Sequence, residues 1–342
     1  MASPEEMRAM RRALDLAVSD GVPVGPNPRV GCVLLDPGGQ VVGEGYHRGA
    51  GTPHAEVVAL AAAGTTARDA TAVVTLEPCS HTGRTAPCTH ALREAGVARV
   101  VFAQPDLNPI AAGGAEALRA AGIDVEGGVM AEAARQVNPE WSFAMRRGRP
   151  FVTWKFAATM DGRVAATDGT SQWITGDDAR ADVHAWRARC DAVLVGTGTV
   201  LADDPRLTVR PADGRPVDRQ PRRVVMGTRP IPAQARVLDD SAPSKVLRTR
   251  DPRQAMAELF GWDVAHVYLE GGPRLAGAFV SDDLVDRVIA YYAGRLLGDG
   301  PSALGSAGVH TLGQARSLTV REVRMVGPDV RVIAERPGWE EE

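Results

Sequence analysis

The sequence predicts an α/β protein made of two domains. Its 342 residues are more than twice the roughly 150 residues of a typical domain. Strand-like apolar runs alternate with helical segments in both halves, which is typical of layered α/β sheets. A short basic stretch with glycine and proline, at 145–150, separates the halves. We place the boundary there, with domains at 1–146 and 149–338.

The composition favours a soluble protein without a surface for nucleic acid. Hydrophobic residues make up 44% of the chain and charged residues 24%, and no run approaches the roughly 20 apolar residues of a membrane span. Glu5 and Glu6 lie where a signal peptide needs basic residues. A net charge of −3 without a basic block is not typical of a nucleic-acid-binding surface. We expect a cytoplasmic protein with neither nucleic-acid nor membrane partners.

The first half begins with an amphipathic helix and a hairpin. Met7, Met10, Leu14 and Val18 recur at helical spacing, and the turn residues at 36–39 separate two strand-like runs. Helices and strands then alternate. The expected helices cover 4–18, 55–63, 87–95 and 112–121, and the expected strands cover 30–35, 40–46, 71–76, 98–103 and 123–126.

Four residues of the first half indicate a catalytic zinc site. His54 precedes a helix, Cys79 follows a buried strand, and Cys88 comes nine positions later. One imidazole and two thiolates leave the fourth tetrahedral position of zinc open for water, which distinguishes a catalytic zinc from a structural one. Zinc lowers the pKa of its bound water to about 7, and Glu56 is suited to carry protons to a leaving amine.

The order of these residues matches the deaminase signature H-x-E followed by P-C-x-x-C, with one difference. Eight residues instead of two separate Cys79 from Cys88, so a polar loop with His81 and Arg84 lies between the cysteines. We expect this loop to contribute to substrate recognition. A lone histidine or cysteine is more often a packed core residue, but the complete set favours the zinc interpretation.

Polar residues beside prolines flank the zinc motif. Asn27 lies between two prolines ahead of a strand, and Asp106 and Asn108 lie just beyond the strand at 98–103. Ligands of open α/β sheets bind at the carboxyl ends of the strands. Alone, Asn and Asp beside proline are ordinary turn residues, so these three are candidates only in combination with the zinc motif.

The second half is expected to begin with a strand, at 151–158, that carries Lys155 in an otherwise apolar run. Burying a lysine without a partner is costly, which makes Lys155 a catalytic candidate. Glycine turns at 196–199 and 271–273 follow strands and suit the close approach of a phosphate. No G-x-G-x-x-G follows a strand, which argues against a Rossmann fold. The remaining pattern is a helix at 177–189, strands at 192–196, 266–269, 287–292 and 330–334, a helix from about residue 274, and a proline-rich interval at 204–232.

Longer motifs extend over nearly the whole chain. They are PNPRVG at 26–31, GEGYH at 43–47, PHAE at 53–56, TLEPCSHTGRTAPC at 75–88, Lys155, MDGR at 160–163, SQWIT at 171–175, VLADDP at 200–205 and LEGGP at 269–273. With these motifs the sequence resembles the bifunctional riboflavin-biosynthesis deaminase–reductase family, whereas cytosine and nucleoside deaminases share only the zinc part. The resemblance implies a cytidine-deaminase-like three-layer αβα domain followed by a dihydrofolate-reductase-like α/β domain.

The resemblance implies two consecutive reactions. The first is hydrolytic deamination of 2,5-diamino-6-(5-phosphoribosylamino)pyrimidin-4(3H)-one, and the second is NADPH reduction of the ribosyl side chain to ribityl. It implies one Zn²⁺ per deaminase site, bound by His54, Cys79 and Cys88, with Glu56 as proton shuttle. The deaminase residues expected at the substrate are Asn27, His47, Arg84, Asp106 and Asn108. Many relatives carry lysine at position 84, and a guanidinium is not equivalent to an ammonium group. We also expect a homo-oligomer, either a dimer or a tetramer.

In the reductase half, the resemblance implies that Lys155 is catalytic and faces the ribose. The expected substrate-binding residues are Ser171, Arg187, Leu207, Arg210 and Glu270. The expected cofactor-binding residues are Ala157, Trp173, Thr199, Asp203, Thr228, Gly272, Pro273, Arg274 and Leu275. Relatives usually carry an Asp-Ser pair where this chain has Gly227 and Thr228. The residues alone therefore do not explain a preference for NADPH over NADH.

Two other functions remain open from the residues alone. In one, the second half is a non-catalytic binding or oligomerisation module attached to a stand-alone deaminase, although Lys155, Asp203 and Glu270 argue against it. In the other, the first half modifies bases in nucleic acids. That function needs a basic groove lined with aromatic residues, and the chain has only six Trp, four Tyr and six Phe.

Overall fold

The computed structural model describes residues 1–19, 25–81, 86–210, 217 and 219–340. The chain divides into two compact units, Met1–Arg146 and Arg147–Glu342, and each unit has its own sheet. Within the described ranges, no helix is both long enough and apolar enough to cross a membrane.

The first unit is built on a five-stranded sheet. Its strands are β1 (Gly31–Leu35), β2 (Val41–Tyr46), β3 (Thr71–Leu76), β4 (Arg99–Gln104) and β5 (Asp124–Gly127). Its helices are α1 (Pro4–Ala17), α2 (Ala55–Ala63), α3 (Cys88–Glu94), α4 (Gly114–Ala120), α5 (Ala131–Arg135) and α6 (Pro139–Arg147), with a 3₁₀ turn at Gly64–Ala67. The strand order is β2-β1-β3-β4-β5. β1 is antiparallel to β2 and β3, and β3, β4 and β5 run parallel.

A capping box begins α1 at the expected position. The Ser3 hydroxyl accepts a hydrogen bond from the Glu6 N–H (3.1 Å), and the Glu6 carboxylate accepts one from the Ser3 N–H (2.7 Å). The buried side of α1, which includes Met10 and Ala13, packs against Val33 and other apolar side chains of the sheet. The helix therefore covers one face of the sheet.

Glycines bring α1 and α2 close to opposite faces of this sheet. A Cβ at Gly45 of β2 would clash with the Ala55 carbonyl oxygen of α2. A Cβ at Gly31 of β1 would clash with the Ala13 carbonyl oxygen of α1. Gly31 pairs with Tyr46, the neighbour of Gly45, and neighbouring strand residues face opposite sides. The first unit is therefore a three-layer αβα structure.

The second unit has an eight-stranded sheet. Its strands are β6 (Phe151–Thr159), β7 (Ala192–Gly196), β8 (Arg222–Met226), β9 (Ser244–Leu247), β10 (His266–Leu269), β11 (Arg287–Ala293), β12 (Thr319–Val326) and β13 (Asp329–Glu335). Its helices are α7 (Asp177–Ala188), α8 (Thr197–Asp203), α9 (Pro252–Phe260) and α10 (Pro273–Ser281), with 3₁₀ turns at Arg236–Leu238 and Leu312–Gln314. The strand order is β12-β13-β11-β6-β10-β7-β8-β9. The six strands from β11 to β9 run parallel, and β13 and β12 are antiparallel additions at one edge.

Helices cover both faces of the second sheet. Apolar residues of α9 and α10 pack with Trp154 of β6 on one face. Val183 and Trp186 of α7 pack with Tyr291 of β11 on the other face. Because neighbouring residues of a strand face opposite sides, Lys155 lies on the α7 face.

The sequence pattern missed several elements of the second unit. The interval at 204–232, expected to be proline-rich and irregular, contains β8, and α8, α9, β9 and β12 were not expected. β8 directly follows Pro221 and is only five residues long. The prolines and other turn residues around it therefore hide its short apolar run in the sequence. β12 is exposed along nearly its whole length and therefore lacks the apolar alternation of a half-buried strand.

Candidate functional sites

Three ligand-type side chains converge in the first unit. His54 immediately precedes α2, Cys79 follows β3, and Cys88 is the first residue of α3. His54 Nδ1 lies 3.1 Å from Cys88 Sγ and 3.6 Å from Cys79 Sγ, and the three ligand atoms all lie within 4.8 Å of one another. Tetrahedral zinc with bonds of about 2.0 to 2.3 Å separates its N and S ligands by about 3.6 Å. The three atoms are therefore close enough together for one zinc ion to bind all of them.

Hydrogen bonds to Cys79 favour its thiolate form. The pKa of Cys79 is lowered because Cys88 and His54 donate to its sulfur, and the Cys88 N–H also donates to it at 3.4 Å. A thiolate is the form of cysteine that binds metal ions. In the first turn of α2, Glu56 is 4% exposed, and burial raises the pKa of its carboxyl group. The cluster thus combines two sulfurs and a nitrogen with a buried acid.

His47 and Asn27 form a polar pair beside this cluster. The Asn27 side-chain amide donates to His47 Nε2 at 3.0 Å, so His47 Nδ1 carries the hydrogen that is donated to the Pro53 carbonyl oxygen at 3.1 Å. Burial lowers the pKa of His47, which favours the neutral ring. Its centroid lies 5.2 Å from that of His54. The structure therefore places Asn27 and His47 next to the candidate metal ligands.

Asp106 and Asn108 lie in a loop held by Glu77. The Glu77 carboxylate accepts hydrogen bonds from the N–H groups of Asp106 (3.1 Å) and Ala115 (2.8 Å), and Asp106 Oδ1 accepts one from the Asn108 N–H (2.9 Å). Burial raises the pKa of Asp106 to about 6. Sequence analysis had not identified Glu77 as a site residue, although it directly precedes Pro78 and Cys79 in the motif at 75–88. Arg84 lies outside the described residues.

In the second unit, Arg187 of α7 binds Glu270, which directly follows β10. Arg187 Nε donates to Glu270 Oε1 at 2.5 Å, and Nη2 donates to Oε2 at 2.7 Å. Arg187 Nη1 also donates to the Thr208 carbonyl oxygen at 3.2 Å. Bidentate pairing fixes the orientation of both groups. Despite burial, the positive groups around it, Arg187 first, keep the pKa of Glu270 below its usual value.

Lys155 lies next to this pair because of the strand register. Leu269 of β10 pairs with Trp154 of β6, so Glu270 comes beside Lys155 at the next position of the parallel strands. Lys155 is half-buried, and its Nζ lies 5.9 Å from the centroid of the Tyr291 ring. Burial lowers the pKa of Lys155, although the charge of Glu270 opposes this change. The structure therefore brings together the candidates Lys155, Arg187 and Glu270.

The other substrate candidates are only partly joined to this cluster. Arg210 donates its N–H to His184 Nδ1 at 3.3 Å, and His184 lies one turn before Arg187 in α7. Burial lowers the pKa of His184 to about 4. Leu207 is buried with φ of 55°. Ser171 lies in the connection between β6 and α7 and makes no hydrogen bond within the described ranges. Sequence analysis did not identify His184, because its contact with Arg210 joins positions that are 26 apart in the chain.

The cofactor candidates gather at the carboxyl ends of the parallel strands. Thr199 and Asp203 are in α8, which follows β7. Thr228 follows β8, and Gly272 precedes α10, where Pro273 is the first residue. Arg274 and Leu275 belong to the first turn of α10, and Ala157 is in β6. Open α/β sheets bind ligands at this edge. Trp173 is 61% exposed, and the Arg180 guanidinium lies 4.5 Å from the centroid of its ring. The Trp173 carbonyl oxygen accepts a hydrogen bond from Arg295.

Two family models match separate parts of the chain. Residues 3–104 match the cytidine and deoxycytidylate deaminase zinc-binding region. Residues 150–332, more than half of the chain, match the RibD C-terminal domain. The chain belongs to the RibD family. The RibD-type riboflavin biosynthesis protein of Mycobacterium tuberculosis is 48% identical over 331 residues, covering 95% of this chain and 97% of that protein. The Escherichia coli protein is 43% identical, covering 94% of this chain and 96% of its own.

Solved RibD structures have the same fold over nearly the full length. Acinetobacter baumannii RibD superposes with a TM-score of 0.87 at 36% identity and covers 97% of this chain and 98% of its own. A Thermotoga maritima protein described as a diaminohydroxyphosphoribosylaminopyrimidine deaminase/5-amino-6-(5-phosphoribosylamino)uracil reductase has a TM-score of 0.80 at 32% identity, covering 97% and 99%.

These comparisons confirm the predicted fold class, a cytidine-deaminase-like domain followed by a dihydrofolate-reductase-like domain. As a RibD protein, the chain is a bifunctional enzyme of riboflavin biosynthesis, a deaminase and a reductase, with Zn²⁺ and NADPH as cofactors. The comparisons argue against a stand-alone deaminase with a non-catalytic second half, because the model of the RibD C-terminal domain covers that half.

Proposed function

We propose that the first unit removes the amino group from 2,5-diamino-6-(5-phosphoribosylamino)pyrimidin-4(3H)-one and that the second unit then reduces the ribosyl group to ribityl. The observation that carries the deaminase assignment is the convergence of His54, Cys79 and Cys88 beside the buried acid Glu56. The observation that supports the reductase site is the cluster of Lys155, Arg187 and Glu270 at the carboxyl edge of the second sheet.

In the proposed deaminase site, His54, Cys79 and Cys88 bind the zinc ion and Glu56 moves the protons. Zinc supplies a hydroxide nucleophile near neutral pH when it is bound. Glu56 accepts the proton of the attacking water and donates it to the departing amine, and a carboxyl group with a raised pKa is suited to both steps. Burial excludes bulk water from this exchange.

We assign the pyrimidine contacts to Asn27, His47, Asp106 and Asn108, with Arg84 from the loop between the cysteines. The hydrogen bond from Asn27 to His47 fixes the neutral ring of His47 in one tautomer, which presents a defined set of donors and acceptors to a base. Glu77 acts through its hydrogen bonds to the loop that carries Asp106. It is therefore a positioning residue.

In the proposed reductase site, Lys155 faces the ribose and donates a proton to its ring oxygen as the ring opens. The lowered pKa of Lys155 supports this role, because an ammonium group with a lower pKa transfers its proton more readily. NADPH supplies the hydride that C1′ receives. Arg187 and Glu270 orient each other, and we assign them to the substrate together with Ser171, Leu207 and Arg210.

We assign the cofactor to the carboxyl edge of the sheet. Its proposed contacts are Ala157, Trp173, Thr199, Asp203, Thr228, Gly272, Pro273, Arg274 and Leu275. At the start of α10, Pro273 has no N–H and the Leu275 N–H donates to the Gly272 carbonyl oxygen at 3.0 Å. We therefore assign the pyrophosphate to the N–H groups of Gly272 and Arg274, at the positive end of the helix. Gly272 has no side chain that would keep a phosphate away from them.

The proposed domain limits are 1–146 for the deaminase and 149–338 for the reductase, which agrees with the division of the chain into two compact units. We further propose a cytoplasmic homo-oligomer, a dimer or a tetramer, that acts on a free phosphorylated pyrimidine. Edge strand β12 supports the oligomer, because Val320, Val323 and Met325 are each more than half exposed on it. An exposed apolar edge strand favours pairing with another chain.

Paired variants test the proposed function. Purified protein is supplied with the diaminopyrimidine substrate, and ammonia release and NADPH oxidation are measured separately. Glu56→Gln is expected to abolish ammonia release while the protein still oxidises NADPH with the deaminated product. Lys155→Met is expected to abolish NADPH oxidation and to leave ammonia release unchanged. Lys245→Met, in the same unit, is the matched control. Full ammonia release by Glu56→Gln, or normal NADPH oxidation by Lys155→Met, would refute the corresponding assignment.

A further inference from the structure

Two exposed arginines flank the proposed cofactor site where β8 and β9 end side by side. Met226 of β8 pairs with Leu247 of β9, and the Gly227 N–H donates to the Leu247 carbonyl oxygen at 3.0 Å. Arg229 follows the first strand and Arg250 follows the second. Within the described ranges, neither arginine forms an ion pair with a carboxylate. The charge of each guanidinium is therefore not neutralised by an ion pair with any described carboxylate.

Arg250 is joined directly to a proposed cofactor residue. Its Nε donates to the Thr228 hydroxyl oxygen at 3.2 Å. The two terminal nitrogens of the guanidinium and the hydroxyl hydrogen of Thr228 remain as donors. Asp251, the neighbouring acid, accepts the N–H groups of Arg253 and Gln254 as the cap of α9. Arg250 and Thr228 therefore form a group of donors suited to an oxyanion.

Arg229 approaches the same place from the side of α8. A Cβ on Gly198, in the first turn of α8, would lie 2.9 Å from Arg229 Nη2. The guanidinium thus lies against the backbone immediately before Thr199, another proposed cofactor residue. Thr199 and Thr228 are consequently flanked by Arg229 and Arg250.

Gly227 explains why no acid directly follows β8. Its φ is 142°, and a Cβ at this position would lie 2.7 Å from Thr197 Oγ1. No side chain fits there without displacing Thr197. This chain therefore has no carboxylate directly after β8, next to Thr228 and Arg229.

We propose that Arg229 and Arg250, with the Thr228 hydroxyl, bind the 2′-phosphate of NADPH and set the preference of this chain for NADPH over NADH. NADH has a neutral hydroxyl group at that position, so it gains nothing from two guanidinium groups. Charge-assisted hydrogen bonds to a phosphate distinguish the two dinucleotides. The proposal rests on the proposed function, because it takes Thr199 and Thr228 as cofactor contacts.

Dissociation constants measured on the full chain test the proposal without reliance on catalysis. NADPH, NADH, adenosine 2′,5′-bisphosphate and adenosine 5′-monophosphate are titrated into wild type, Arg229→Ala, Arg250→Ala and the double variant by calorimetry. Each single change is expected to weaken the two 2′-phosphorylated ligands about tenfold or more and to leave the other two unchanged. Arg253→Ala is the control, because its side chain binds the Asp282 carbonyl oxygen.

The outcomes separate this proposal from the one on which it rests. Wild-type protein that fails to bind NADPH would refute the proposed reductase site itself. If wild-type protein binds NADPH and the arginine variants keep the wild-type ratio of the dissociation constants for NADPH and NADH, only the role of the arginines is refuted. Equal weakening of both dinucleotides also refutes it, because the arginines would then support the adenosine and not the phosphate.

Discussion

Arg187 binds both carboxylate oxygens of Glu270, at 2.5 and 2.7 Å, although the two residues are 83 positions apart in the chain. The side chains are only 13% and 9% exposed, so the pair is largely removed from water. Lys155 lies beside it through the register of β6 and β10. One negative charge is thus shared between two positive groups at the proposed reductase site.

Replacing Glu270 by Gln is expected to impair this site and to destabilise the second unit. A buried Arg187 without its counter-charge costs about 3 kcal/mol, and the pKa of Lys155 should fall further because the charge of Glu270 raises it. NADPH oxidation should be strongly reduced and ammonia release unchanged. Thermal unfolding and both assays measure this, with the exposed Glu258→Gln as control. Unchanged stability would show that the pair contributes little.

The pH dependence of the same pair has a definite sign. The pKa of Glu270 is lowered in the folded protein, so the stabilisation is present above the unfolded pKa of about 4.3 and is lost as pH falls through the folded value. Wild type should therefore lose its stability advantage over Glu270→Gln as the solution is acidified below about pH 4. A constant difference in unfolding free energy across that range would contradict the lowered pKa.

Gly45→Ala is expected to disturb the zinc cluster without touching a ligand. A Cβ there would lie 2.6 Å from the Ala59 nitrogen in the middle of α2, and α2 begins immediately after His54. Pushing the helix away should cost about 1 to 3 kcal/mol and lower the zinc content of the purified protein. Gly38→Ala, in the turn between β1 and β2, is the control. Full zinc occupancy and normal stability in Gly45→Ala would show that α2 moves freely.

The ligand set of the first site was accessible from sequence because its chemistry is local. His54 and Glu56 are two positions apart, and Cys79 follows a strand whose apolar run is unmistakable. Glu77 was missed because its function depends on the N–H groups of Asp106 and Ala115, which are 29 and 38 positions away. Contacts of that separation have no signature in a single sequence.

The second site was less accessible because its residues come from distant strands. Lys155 was identifiable as a charge in an apolar run, but its closeness to Glu270 depends on the pairing of β6 with β10, more than a hundred positions later. Arg187 was expected at the substrate only through the family resemblance, and only the fold shows it bound to Glu270. Gly227 was noticed as a departure from the family, but its reason, contact with Thr197, needed coordinates.

Asp191→Asn is expected to stabilise the second unit at neutral pH. Asp191 is 7% exposed, and one of its oxygens accepts the N–H groups of Ala265 and His266, while the other has no hydrogen-bond partner among the described residues. Burial raises its pKa from 3.8 to about 6. Ionising it above that pH costs about 3 kcal/mol, whereas an asparagine amide oxygen accepts the same two hydrogen bonds without a charge.

The gain from Asp191→Asn should depend on pH. Between about pH 4 and 6 the folded wild type retains a proton that the unfolded chain has released, so its free energy of unfolding falls as pH rises through this window. The variant has no such loss. Unfolding curves from pH 4 to 8 should therefore diverge with rising pH and remain parallel above about pH 7. Curves that coincide throughout would mean that Asp191 ionises freely in the folded state.

Removal of the metal ion should affect only one of the two reactions. The proposed zinc ligands His54, Cys79 and Cys88 belong to the first unit, whereas Lys155 and Glu270 belong to the sheet of the second. After dialysis against a chelator, ammonia release should be lost and NADPH oxidation with the deaminated product should remain. One equivalent of Zn²⁺ per chain should restore deamination in wild type and not in Cys88→Ser. Within the described ranges, the second unit has no comparable group of metal-binding side chains. Loss of both reactions on chelation would therefore contradict the assignment of the zinc ion to the deaminase reaction alone.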